Sequence, residues 1–123
     1  MTIAQAIAKI NSLKPNRYTD EDKIGWLSEL DEHIKAKIID THENAAVDAF
    51  DGYTGETSQS TQLLVPAPFD QMYLFWLESK IDYWNGEMGK YNNSISMYNT
   101  AYAEYEAYYN RNNTPKGRKL KFF

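Results

Sequence analysis

The sequence predicts a mainly α-helical fold: a small helical bundle with one long C-terminal helix over about 69–110 and a long loop or weak β-hairpin at 43–67. Three observations carry this. Apolar residues recur at spacings of three and four through most of the chain, which is the period of one helix face. Capping residues stand where two of those periodic runs begin. The chain has 123 residues, 42% of them apolar, which is one domain's worth of core.

The first run is Ile3, Ala6, Ile7, Ile10 and Leu13. Thr2 and Gln5 ahead of it fit a capping box, in which each side chain satisfies a free amide of the first turn. Pro15 ends the helix at about residue 13, because a residue before proline is pushed out of the α region. Thr19 is the next N-cap, followed by Asp20, Glu21 and Asp22 at the positive end of the helix dipole. Ile24, Leu27, Leu30 (or Asp31), Ile34 and Ile38 then extend one stripe through a helix at about 20–42.

Residues 43–67 are different. Asp51-Gly52, Gly55 and the pair Pro66 and Pro68 are turn formers and breakers. The apolar stretches 47–53 and 63–65 leave two forms open, a weak hairpin through the Gly-rich tip or a plain loop. A loop this long in a compact domain is uncommon and usually functional or disordered in isolation.

The second half has the strongest pattern. Leu74, Leu77, Ile81, Trp84, Met88, Tyr91, Ile95, Tyr98, Tyr102, Tyr105 and Tyr109 keep alternating steps of three and four. Asn85-Gly86, Gly89 and Asn92-Asn93 each favour a break. A turn would normally lose the phase, so the unbroken phase favours one helix, about 60 Å long at 1.5 Å per residue. A helical hairpin turning at 85–93 is the other form the residues allow. Between 69 and 84 the helix is apolar nearly all round and so expected to be buried on most sides. Beyond Gly89 the stripe turns to tyrosine, and twelve of the eighteen aromatics lie between Phe69 and Tyr109. Tyrosine buries area yet keeps a hydroxyl that can meet water. Tyr91, Tyr98, Tyr102, Tyr105 and Tyr109, with Tyr53 in the loop, are therefore the candidate contact surface between copies. The bland reading is that the first two helices cover the stripe as core.

Charge and chemistry exclude more than they suggest. The net charge is −4, and the only basic cluster is Lys116, Arg118, Lys119 and Lys121, in a tail at 113–123 that reads as flexible beyond a helical domain at 1–112. An acidic body fits nucleic acid poorly. No cysteine is present, so thiolate metal sites and disulfides are excluded. No apolar run approaches the ~18 residues a membrane helix needs, and Met1 to Gln5 do not read as a secretion signal. The two histidines, His33 and His42, stand too far apart on a helix to share a metal ion. Asp40, His42 and Glu43 could form only a loose divalent site. Glu78 and Asp82, at i and i+4, could do acid–base work if both were buried, but cationic partners on neighbouring helices are the simpler expectation. No cofactor, metal or small-molecule substrate is expected, and no enzyme.

Three stretches carry a resemblance: 64–73 (LVPAPFDQMY), 81–87 (IDYWNGE) and 91–99 (YNNSISMYN). Together they make the chain similar, over about 63–110, to small helical proteins of tailed phages and of prophages in Gram-positive bacteria, many of them head–tail connector (adaptor) proteins. The resemblance implies a helical virion assembly protein that forms a ring between portal and tail. Its partners would be other copies of itself, the portal and tail-completion proteins, and its place the virion and the host bacterial cytoplasm. It carries no catalytic signature. Within 64–73, Pro66, Pro68, Phe69 and Asp70 read as a structural joint, with two prolines stiffening the entry to the long helix and Asp70 in its first turn. The alternative is a phage-encoded helical protein-binding module without a virion role.

Overall fold

The computed structural model describes residues 1–42 and 50–114. Four α-helices share one core: α1 (Ile3–Leu13), α2 (Asp20–Lys37), α3 (Met72–Trp84) and α4 (Met88–Asn112). Two short 3-10 turns, Ile39–Thr41 and Phe69–Gln71, follow α2 and precede α3. The mainly helical bundle is thus present, and it contains no strand among the described residues beyond one isolated bridge, Thr2 with Gln62.

Both predicted caps form. Thr2 Oγ1 accepts from the Gln5 amide at 3.1 Å while Gln5 Oε1 accepts from the Thr2 amide at 2.9 Å. Thr19 and Asp22 make the same reciprocal pair at 3.0 and 3.2 Å. The buried faces are Ile3, Ala6, Ile7 and Ile10 on α1, and Ile24, Leu27, Leu30, Asp31 and Ile34 on α2. Helix α2 ends at Lys37, short of the predicted 42, and the chain tightens into the 3-10 turn over the last residues.

The single helix over 69–110 is not what forms. It is two helices, reversed at 85–87 into an antiparallel hairpin. Asn85 caps α3, Gly86 takes a positive φ of 75°, and the Gly86 and Glu87 amides donate back to Tyr83 and Asp82 carbonyls at 3.0 and 2.9 Å. This is the Schellman pattern, which satisfies orphan carbonyls at a helix end and favours glycine for its left-handed residue. The unbroken phase misled because each arm needs a stripe of its own facing the other. Across the hairpin Phe69 meets Tyr105, Trp76 meets Tyr98 and Tyr83 meets Tyr91, stepping seven residues down one arm and seven up the other. Trp84 and Met88, members of the supposed stripe, are exposed where it turns.

Helix α3 is the centre: α1, α2 and α4 all pack on it. Helix α1 runs parallel to it, with the Met1 ammonium near Asp70 at one end and Lys14 on Asp82 at the other. Helix α2 runs antiparallel, pairing Glu29 with Lys80 at 3.0 Å and Tyr18 with Asn85 at 2.7 Å. The nearly all-round apolar character of 69–84 follows from this central place. Met72, Tyr73, Leu74, Leu77 and Ile81 are all buried.

The hairpin proposed within 43–67 lies partly outside the described residues, at 43–49. Beyond local turn bonds, the described remainder bonds to the start of the chain: the Ile3 and Ala4 amides donate to Thr61 and Gln59 carbonyls, and the Leu63 amide to the Met1 carbonyl. The predicted flexible tail likewise falls, from residue 115 on, outside the described residues.

Candidate functional site

The predicted contact tyrosines face inward. Tyr53, Tyr98 and Tyr105 are buried, and Tyr91, Tyr102 and Tyr109 are half-buried. Reversal of the chain at Gly86 lays the stripe of α4 on α3 and on the end of α2. Tyr98 packs on Trp76, Tyr102 lies 5.5 Å from the His33 ring, and Tyr109 meets His42 edge-on at 4.7 Å. Burial pushes the Tyr98 and Tyr105 hydroxyls up from the ordinary phenol value. The reversal supplies the stripe with a cover made mainly of α3: Tyr98 and Tyr105 are buried under it, while Tyr91, Tyr102 and Tyr109 keep part of their surface in water.

The joint residues stand at the start of the hairpin. The Ala67–Pro68 bond is cis, and Phe69–Gln71 forms a 3-10 turn before α3 begins at Met72. Pro66 and Pro68 are exposed, Phe69 packs on Tyr105 and Tyr108, and Asp70 lies 3.5 Å from the Met1 ammonium. The joint thus sits between the α1 and α4 ends of the bundle.

Beside it lies the most unusual polar cluster, built around Asp31. This residue is wholly buried on the inner face of α2. Its Oδ1 accepts the Tyr73 hydroxyl at 2.6 Å, and its Oδ2 accepts the Tyr53 hydroxyl at 2.5 Å and the Leu64 amide at 3.1 Å. Tyr73 Oη in turn accepts the Val65 amide at 2.8 Å. Burial raises the Asp31 carboxyl above the usual carboxylate range, and the Tyr53, Tyr73 and Leu64 bonds pull it part of the way back. The same burial, with the adjacent carboxylate, raises both tyrosines further. In the sequence only the position of Asp31 in the apolar stripe of α2 hinted at this. Its partners lie 22 to 42 residues away.

The groups with catalytic potential are occupied structurally. Lys14 reaches from the end of α1 to pair with buried Asp82 and stands 3.8 Å from Glu78, as the simpler expectation had it. Ser94 adds a hydroxyl to Asp82 at 3.0 Å. His42 is buried, with Nδ1 donating to the Ile38 carbonyl at 2.5 Å and Nε2 on the Asn110 side-chain amide at 2.7 Å. Of the loose Asp40–His42–Glu43 set, Asp40 pairs with Lys35 and Glu43 lies outside the described residues. Among the described residues no three His, Asp or Glu side chains come together as a metal site, and no helix is long and apolar enough to cross a membrane.

Among the described residues, the exposed large apolar side chains gather mostly at the hairpin tip, with Met97 and Tyr108 exposed farther along α4. Trp84, Tyr83 and Met88 keep 58, 50 and 46% of their surface in water, and Leu13 at the end of α1 keeps 59%. Tyr83 and Trp84 touch each other edge-on at 5.3 Å. Lys14, which pairs with Asp82, and Tyr18, which bonds Asn85, bring the α1–α2 connection to this same end of the bundle. Sequence periodicity hid this patch by assigning Trp84 and Met88 to the inner stripe.

The described residues define an architecture: four α-helices with α3 at the centre and exposed aromatic side chains where α3 turns into α4. Beyond that architecture, no family model, no curated protein and no solved structure matches the chain.

Proposed function

We propose that the chain is a structural protein of a tailed-phage or prophage particle, a head–tail connector ring subunit that acts through self-association and contacts with portal and tail-completion proteins. One observation carries the reading. The stretch 81–87, one of the three that bear the resemblance to connector-type proteins, forms the end of α3, where Tyr83 and Trp84 stand exposed, and the reversal that follows it. Contact residues are enriched in such aromatics, and large apolar side chains grouped at one end mark an interaction surface. In a ring the patch on one copy meets a different patch on the next, because head-to-tail contacts close only when the rotation does. A non-enzymatic role is supported by Asp82, Asp31 and His42, each engaged in bonds that tie separate elements together.

Light scattering of the purified protein, alone and mixed with the cognate portal, tests the proposal. The expected result is a closed oligomer or a portal complex that Trp84→Ser weakens. A strict monomer at high concentration in both samples overturns it.

A further inference from the structure

Residues 53–65 cross the bundle beside α2 and α3 with few apolar anchors. Only Tyr53, Leu63 and Val65 are buried there, and 54–60 is exposed or half-exposed turn. The bonds inside the segment are local, such as Thr57 amide to Thr54 carbonyl and Thr61 amide to Ser58 carbonyl, both 3.0 Å. The bonds from its own amides and Tyr53 hydroxyl to the helices converge. The Leu64 amide and the Tyr53 hydroxyl end on Asp31, and the Val65 amide ends on Tyr73, itself bonded to Asp31. The Tyr53 amide ends on Ser28 Oγ, one turn earlier on α2. No lysine, arginine or histidine neutralises the Asp31 carboxylate among the described residues. Lifting the segment would cost those bonds but return an unneutralised buried charge to water, whereas parting α3 from α4 would expose apolar surface and bare only Asp82, whose charge Lys14 already neutralises.

We propose that 53–65 is a strap that opens from the helical bundle as a unit, with Asp31 as its latch and Tyr73 as the relay that extends the latch to the backbone of Val65. The device is asymmetric. Its bonds are charge-assisted and so hold the strap closed, yet the charge they bury makes the strap the first part of the fold to leave it. Opening bares Asp31 and Tyr73 on the side of the bundle and leaves the α3–α4 packing intact. The strap also carries the carbonyls of Thr61 and Gln59 that accept from the first amides of α1, so those amides report on the same event.

Amide hydrogen exchange on the full chain, resolved by residue, tests this. In the native protein the Tyr53, Leu64, Val65, Ile3 and Ala4 amides are expected to exchange at a common rate roughly tenfold or more above the Leu77 and Ile81 amides of α3. Tyr73→Phe removes the relay hydroxyl and should speed the strap amides by a further tenfold to a hundredfold, on the order of one lost bond to a charged group, with Leu77 and Ile81 little changed. Tyr53→Phe, which keeps the ring and deletes only the hydroxyl on the strap side, is the milder variant should Tyr73→Phe not fold, and it should act in the same direction. Ser94→Ala, on the separate Asp82 cluster, should leave the difference between strap and α3 as it is. Strap and α3 amides exchanging at one rate in the native protein overturn the proposal. So does a Tyr53→Phe variant that accelerates α3 as much as the strap.

Discussion

Replacing Lys14 by methionine tests how this small bundle tolerates charge in its interior. Asp82 is 1% exposed, its cation comes from another helix, and Ser94 supplies its remaining side-chain bond. Methionine keeps most of the aliphatic stem and deletes the charge. Breaking a buried pair by removing one partner costs about 3–5 kcal/mol, because the surviving ion stays desolvated. The Lys14 side chain keeps 23% of its surface in water, so water can partly reach the vacated position, and a loss of about 2–4 kcal/mol is expected. Against a total stability of about 5–15 kcal/mol that is a large fraction. Urea denaturation gives the value directly, read from the midpoint at unchanged slope. Asp82→Asn in the same background should recover at least about 1 kcal/mol, since the amide has no charge to leave unpaired. A single-variant loss under about 0.5 kcal/mol, or a double variant no more stable than the single, would refute the view that Lys14 is what makes Asp82 tolerable in the core.

Asp31 should respond to pH in a defined sense. Its carboxyl is raised in the folded chain, so its contribution is fully present below the unfolded carboxylate value and is lost as pH rises through the folded value. Denaturation of the native protein and Asp31→Asn from pH 3 upward should show the native protein losing ground to the variant as pH rises, and a constant gap would contradict burial as the dominant cause. Gly52→Ala meets two obstacles, a φ of 85° and a Cβ only 2.5 Å from Ser28 Oγ, and should cost about 1–3 kcal/mol in the same assay. Gly86→Ala has open space and only the positive φ of 75° against it, so about 1 kcal/mol is expected, and equal losses at the two sites would discount the Ser28 contact. Trp84→Ser should change stability by no more than about 0.5 kcal/mol while weakening assembly in light scattering, and a destabilised monomer would show that Trp84 belongs to the core.

Much of the fold was legible locally. Thr2 with Gln5, and Thr19 with the acids Asp20 to Asp22 that follow it, announce two helix starts, because a helix start is signalled within one turn and needs nothing distant. Pro15 and Gly52 mark breaks for equally local reasons. Asn85-Gly86 was legible too, but the phase of the stripe across it outweighed the signal. The phase is the same whether the second arm continues away or folds back. The exposed Trp84 and Met88 follow directly from that reversal, so the same periodicity that conceals the turn also conceals the exposed aromatic patch. The Asp31 cluster was legible only as an acid in an apolar row, since nothing near it in sequence names Tyr53 or Tyr73 as donors.

By itself the sequence determined that the chain is helical, where α1 and α2 begin, and that aromatic side chains crowd its second half. Helix propensity, capping and 3.6-residue periodicity act over a few residues and are complete within one segment. Only the tertiary structure decided what those aromatics face, which carboxylates lose water, and which end of the bundle stays apolar and open. Each of these depends on closing the chain at Gly86 and bringing together residues tens of positions apart, and a periodic pattern carries no information about that closure.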